Sequence, residues 1–191
     1  MKFIKKEANY SKFEYKSSIF ELNVGGDYNI ENALAAIIIG LELELTLDEI
    51  KSGLKNYKPI EKRWESTFSG GYEIINDSYN ANPESMKAFI DTVLELYSDY
   101  VLILGDMGEL GKDEVFYHKN LGEYIYKKNS NARVISIGKL SENITTACNG
   151  KHFSNIEEAV NYIQNNINCS TKLFLKASRS MKFEKIIEKL N

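Results

Sequence analysis

Asn76-Asp77-Ser78-Tyr79-Asn80-Ala81-Asn82-Pro83 follows the short apolar run 72–75 and precedes a helical pattern. Leu104-Gly105-Asp106-Met107-Gly108-Glu109-Leu110-Gly111 repeats the arrangement after the apolar run 100–104. Strand, polar loop and helix occur twice in succession, which is the signature of βαβ units and a mainly parallel sheet. In open α/β sheets such loops lie outside the carboxyl ends of the strands, where ligands bind. Both loops are built for something small and polar.

Working outward, the patterns predict strands over 64–68, 72–76, 100–104, 133–137 and 172–175. They predict helices over 83–97, 113–128, 156–167 and 181–190, with a shorter one over 142–147. The turn at Ser69-Gly70-Gly71 makes the first two strands an antiparallel hairpin. The expected fold is therefore α/β, Rossmann-like, with a mainly parallel sheet and an antiparallel first strand. Upstream, residues 12–24 alternate loosely and read as one or two short strands, broken by Gly25-Gly26-Asp27. A helix follows over 30–41 with Asn29 as its N-cap, then a second over 47–57 that starts at Thr46 and stops at Lys58-Pro59. A boundary is expected at 58–62, separating residues 1–60 from a domain over 61–191. The first piece offers a thin basis for an independent core.

A chain of 191 residues can bury roughly 70% of the surface that its unfolded form exposes, enough for a core without covalent staples. Its 24 basic and 27 acidic residues are interspersed, for a net charge of −3, so no nucleic-acid or membrane surface is expected. The Lys-rich start lacks the apolar core of a signal peptide, and no run has transmembrane length. Cys148 and Cys169 do not form a disulfide framework or a zinc spacing, and His118 and His152 have no metal-ligand spacing to a partner. No metal site built from protein alone is expected, and the chain is expected to be cytoplasmic and monomeric. The nearest approach to a phosphate-cradling P-loop, Gly105 to Lys112-Asp113, is one residue too long and carries acids that repel phosphate.

The two loop motifs, read with Gly26-Asp27-Tyr28-Asn29-Ile30-Glu31-Asn32-Ala33-Leu34-Ala35-Ala36, Lys62-Arg63-Trp64-Glu65, His118 with Gly122, and Lys176-Ala177-Ser178-Arg179-Ser180, resemble the Mur ligase family. They occur in the family's order from about residue 18 to the end. The likeness is closest to the members that add D-alanyl-D-alanine to UDP-N-acetylmuramoyl-tripeptide in peptidoglycan synthesis. The resemblance implies an enzyme that uses ATP and Mg2+ to activate the tripeptide carboxylate as an acyl phosphate, which the dipeptide amine then attacks. It makes residues 1–60 the tail of the central ATP-binding domain and residues 61–191 the C-terminal domain. The family's P-loop, magnesium-binding acids and carbamylated lysine lie upstream, so the chain is expected to be inactive without the N-terminal and central domains. The alternatives are another Mur or folylpolyglutamate-type ligase, or a non-catalytic module that binds a small molecule.

The resemblance also implies roles for single residues. Asn29 and Asn32 share a helix face and are placed beside adenine, whose edge an amide complements; an N-cap is the plain alternative for Asn29. Tyr28 stands where most members have His. Arg63 and Asp77 are placed toward the nucleotide's ribose and phosphates, against the alternatives of a solvated linker charge and a turn residue. Ser78, Tyr79, Asn80 and Asn82 are placed facing the incoming dipeptide, although Asn82-Pro83 also reads as a simple helix start. Asp106 and Glu109 are candidates for the dipeptide's ammonium, or surface acids that complement a helix dipole. Lys176, Ser178 and Arg179 are candidates for its carboxylate, or a solvated cluster.

Overall fold

The computed structural model describes residues 1–7, 10–58 and 63–191, and the chain divides into two compact units, Met1–Ile60 and Glu61–Asn191.

In the first unit, β1 (Lys2–Glu7), β2 (Tyr10–Tyr15) and β3 (Ser18–Leu22) form an antiparallel sheet in that order, beside α1 (Asp27–Glu42) and α2 (Leu47–Lys55). Lys16 and Ser17, both at positive φ, close a two-residue hairpin between β2 and β3. Its register sets Phe13 opposite Phe20, and the rings stack at 5.7 Å. Leu22, Val24, Ile30, Ala33, Ile37 and Ile50 are buried in the same unit. Two details differ from the sequence expectation. β1 is almost wholly exposed and carries no clean alternation, so periodicity missed it. And α1 begins three residues early, with Gly26 (φ 90°) as N-cap. Asn29 lies inside the first turn and donates to the Gly25 carbonyl at 2.6 Å, so it is not the cap.

The second unit is one six-stranded sheet built from β4 (Glu65–Ser69), β5 (Tyr72–Asn76), β6 (Tyr100–Gly105), β7 (Val134–Ile137), β8 (Lys151–Phe153) and β9 (Lys172–Lys176). Their order is β4-β5-β9-β6-β7-β8, with β4 antiparallel and the remaining pairs parallel. Gly70 and Gly71, at φ 55° and 87°, make the tight hairpin between β4 and β5. A Cβ on Gly70 would lie 2.0 Å from the Leu190 carbonyl oxygen, so glycine is required there twice over. The strands alternate with α3 (Pro83–Leu96), α4 (Glu114–Lys128), α5 (Glu142–Cys148), α6 (Ile156–Asn166) and α7 (Glu184–Leu190).

One face of the sheet packs Ile74, Val101, Ile103, Leu173 and Leu175 against Ala159, Val160 and Ile163 of α6 and Ile186 and Leu190 of α7. The other face packs Phe174 against Trp64 and Phe89, with ring centroids 5.4–6.3 Å apart. Covered on both sides, β6 is buried along its whole length, as its unbroken apolar run requires. Sequence reading missed β8, three residues at the edge of the sheet with too little pattern to register. It also ran the last helix through 181–183, where a 3-10 turn over Arg179–Met181 precedes α7.

The decisive feature is the position of the final strand. β9 inserts between β5 and β6, so the carboxyl ends of three strands stand side by side. The loops that follow them begin at Asp77, Ala177 and Asp106.

Candidate functional site

Asp77 continues the line of β5, its N–H bonding the Leu175 carbonyl of β9 at 2.8 Å. Lys176, at the end of β9, reaches across to it: Nζ lies 2.5 Å from Asp77 Oδ2, with the two side chains only 4% and 8% exposed. The same ammonium donates to the Asn80 carbonyl at 3.2 Å and lies 3.4 Å from the Asp77 carbonyl. Asp77 Oδ1 accepts the Trp64 backbone N–H at 3.1 Å. Burial pushes the Asp77 carboxyl up, and the Lys176 ammonium, the Trp64 N–H and the Arg63 charge draw it part of the way back. Lys176 is therefore no part of a solvated cluster.

Around this pair the loop is held locally. Asn76 Oδ1 accepts both the Ser78 N–H and its hydroxyl, at 3.2 and 2.6 Å. Asn82 caps α3 reciprocally with Ser85, and Asn80 Oδ1 accepts the Ala81 N–H. Tyr79, Asn80 and Asn82 are exposed, as is Arg63, whose guanidinium carbon stands 4.4 Å from the centre of the Tyr79 ring. The two residues expected to serve different ligands are thus neighbours.

The second loop is tied to the third and to a fourth. Asp106 Oδ1 accepts the N–H groups of Leu140 and Ser141 at 3.0 and 2.7 Å, holding the loop after β7 at the start of α5. Its carbonyl accepts the Ser178 N–H at 3.0 Å, while Ser178 Oγ accepts the Gly108 N–H at 2.6 Å. Ser178 is thereby a connector between loops. Gly138 is needed for the same reason, since a Cβ there would come within 2.5 Å of Asp106 Oδ1. This fourth loop, Gly138 to Ser141, was not picked out from the sequence, although a glycine directly after an apolar strand was the available signal. His118 is wholly buried and supports the Asp106 loop from α4. Glu109 is exposed at φ 62°, and Arg179, half-exposed, pairs with Glu184 at 2.9 Å.

The structure therefore gathers Asp77, Asn80 and Lys176 into one cluster and Asp106 and Ser178 into another, with Arg63 and Tyr79 stacked beside the first. Asn29 and Asn32 lie in the other unit. There they line a hollow of about 140 Å³ with Leu22, Ala33, Ala36, Leu54 and Tyr57. A mainly apolar lining that includes two amides suits a flat heterocycle with polar edges. A second hollow, of about 190 Å³, lies at the amino ends of β6 and β7, and its cations are already engaged: Arg133 with Asp99 and Lys151 over Tyr162. It has no part in the polar loops. Among the described residues no group of three or more His, Cys, Asp or Glu side chains is placed to hold a metal ion, and no helix is long and apolar enough to cross a membrane.

Residues 62–179 match the family described as Mur ligase, glutamate ligase domain. The UDP-N-acetylmuramoyl-tripeptide--D-alanyl-D-alanine ligase of Buchnera aphidicola subsp. Baizongia pistaciae is 41% identical over 94% of this chain. The ligase of that name from Escherichia coli is 35% identical over 88% of it. The chain spans 41% and 38% of the lengths of these relatives. Among solved structures, MurF from Acinetobacter baumannii superposes with a TM-score of 0.88 over 97% of this chain and 43% of that one, at 25% identity.

Proposed function

Since this chain belongs to the Mur ligase family, we propose that it is the substrate-binding C-terminal part of an ATP-dependent ligase that adds D-alanyl-D-alanine to UDP-N-acetylmuramoyl-tripeptide. The observation that carries this reading is the likeness of nearly the whole chain to ligases that bear this name, at 41% identity in one case. The loop cluster supports it: the loops after three neighbouring strand ends carry both acidic and basic groups, as a zwitterionic dipeptide requires.

In this reading Arg179 takes the dipeptide carboxylate, and Asp106 and Glu109 face its ammonium. Tyr79 and Asn80 border the path of the dipeptide, with Ser78, Asn82 and Ser178 shaping the loops behind. Arg63 and Asp77 serve the nucleotide side, and Asn29 and Asn32 serve its adenine, for which their hollow has fitting walls. When bound, ATP supplies the phosphate that activates the tripeptide carboxylate. The acidic residues described here do not gather as magnesium ligands, so no step is assigned to the metal in this chain. Its contribution is positioning and charge complementarity. The setting proposed for that work is the cytoplasm.

Titration of the ¹⁵N-labelled chain with D-Ala-D-Ala, with L-Ala-L-Ala as control, tests the reading. Selective shifts at 77–82, 106–110 and 176–179 are expected with the D,D-dipeptide. Shifts with L-glutamate in its place would favour a folylpolyglutamate-type ligase, and none with either would favour another binding module. With ATP and all substrates the isolated chain should release no phosphate. Turnover at ordinary enzymatic rates, on the order of 1–10³ per second, would overturn the assignment of nucleotide activation to residues outside it.

A further inference from the structure

Lys176 stands out from the charges around the loops because its side chain is only 4% exposed. It is buried at the end of β9, and each of its polar contacts is an oxygen of the adjoining loop: Asp77 Oδ2, the Asp77 carbonyl and the Asn80 carbonyl. An ammonium has three donors and no acceptor. With these oxygens around it and so little exposure, the ammonium is turned to the loop and away from a ligand carboxylate.

Asp77 in turn has both carboxylate oxygens bonded within the protein, one by Lys176 and the other by the Trp64 N–H. Trp64 is held at φ 51°, in the left-handed region that bulky residues rarely adopt, with its indole buried against Phe89 and Phe174. Such a conformation persists only where its surroundings impose it. The next residue toward the amino terminus is Arg63, whose guanidinium lies over Tyr79 on the loop that Lys176 anchors. A single buried cation thus fixes both ends of the Arg63–Tyr79 stack, one through Asp77 and Trp64, the other through the Asn80 carbonyl.

We propose that Lys176 is a positioning residue that sets the Arg63–Tyr79 pair through Asp77, Trp64 and Asn80, and that it does not itself contact the dipeptide. Its bearing on catalysis rests on the ligase reading above, whereas its effect on Asp77 and Trp64 does not. The two are tested separately.

Trp64 is the one tryptophan in the sequence and its backbone N–H bonds Asp77 Oδ1, so its emission serves as the probe of the Asp77 carboxylate. The charges that act on that carboxylate are Lys176 from β9 and Arg63 beside Trp64. Emission should be followed against pH, without ligand, in wild type, Lys176→Met, Asp77→Asn and the double variant. In Lys176→Met the titration of Trp64 emission should move upward by about one to three pH units, because the carboxylate loses its partner cation. In Asp77→Asn and in the double variant that titration should vanish. An unchanged profile in Lys176→Met overturns the proposal. If Lys176→Met does not fold, the double variant decides: recovery of the fold supports the proposal, since no lone buried carboxylate remains, and failure to recover overturns it.

A D-Ala-D-Ala titration completes the test. Loss of dipeptide affinity in Lys176→Met with Trp64 emission unaltered would make Lys176 a ligand contact. Absence of dipeptide binding in the wild type would count against the ligase reading and leave the emission result standing.

Discussion

The Nε2 of His118 accepts the Met107 backbone N–H at 2.9 Å, while its Nδ1 donates to the Glu114 carbonyl at 2.6 Å. A histidine with both ring nitrogens engaged inside the protein is a support for the Asp106 loop and has no free nitrogen for proton transfer. His118→Ala should destabilise the chain by about 2–4 kcal/mol, from an unpaired buried N–H plus a cavity. His118→Gln, which keeps an acceptor, should lose less. Urea unfolding measures both, and equal losses would show that packing alone matters at this position.

Asp106 has one oxygen bound to two N–H groups, so structure and ligand binding can be separated there. Asp106→Ala removes the acceptor and should cost about 2–4 kcal/mol, since hydrogen bonds to a charged group contribute about 1.5–3 each and the loop relaxes in part. Asp106→Asn keeps an acceptor oxygen and should lose less than half as much. If Asp106 also holds the dipeptide ammonium, Asp106→Asn should still weaken D-Ala-D-Ala binding roughly tenfold, because the charge is gone. Calorimetric titration beside thermal melts distinguishes the two effects.

Arg179 pairs with Glu184 in an exposed setting, where ion pairs contribute at most about 1 kcal/mol. Arg179→Ala should therefore leave stability nearly unchanged. Its expected effect is on the dipeptide, with affinity lowered roughly tenfold to a hundredfold by loss of a charged hydrogen bond. Unchanged affinity would reduce Arg179 to a tether for α7.

Asp99 joins the amino ends of three strands, bonding Arg133 and the Thr171 hydroxyl. The Arg133 hydrogen bond, followed by that of Thr171, holds its carboxyl below the usual carboxylate range. A depressed carboxyl contributes stability above its unfolded value, and that contribution is lost as pH falls through the folded one. Asp99→Asn should therefore be less stable than wild type at pH 7, and the gap should close as pH falls below about 4. Chemical unfolding at both pH values checks this, and a gap that persists in acid would refute the linkage.

The two units should behave differently when expressed apart. Residues 63–191 contain the whole sheet with helices on both faces and should melt cooperatively. Residues 1–58 bury Phe13, Phe20 and Ile37 but leave Ile38, Ile39, Leu43 and Leu45 heavily exposed along α1 and the turn after it. That surface should make the shorter piece aggregate or melt without a sharp transition. Circular dichroism of both pieces tests it, and a cooperative transition in residues 1–58 would show that its small core is sufficient.

What the sequence determined by itself is the alternation of the second unit. Apolar runs such as 100–105 are buried on both faces and have only one stable setting, between two layers of helices. Asn82-Pro83 started α3, Thr46 started α2, and Gly70-Gly71 closed the hairpin, because these signals act within a few residues. The motifs around Asp77 and Asp106 were legible for the same reason, each following a strand directly. β1 and β8 were not, since an exposed edge strand needs no apolar alternation to be held by its neighbour.

Tertiary structure alone decided which polar residues meet. That Lys176 lies 2.5 Å from Asp77 follows from β9 inserting between β5 and β6, a strand order that no local pattern encodes. The same order brought Ser178 to Gly108 and turned candidate ligand groups into connectors between loops. Sequence specifies which side chains carry charge. Whether a charge faces water, a ligand or another charge depends on the burial that long-range packing creates, and at Lys176 that packing turned a basic residue inward.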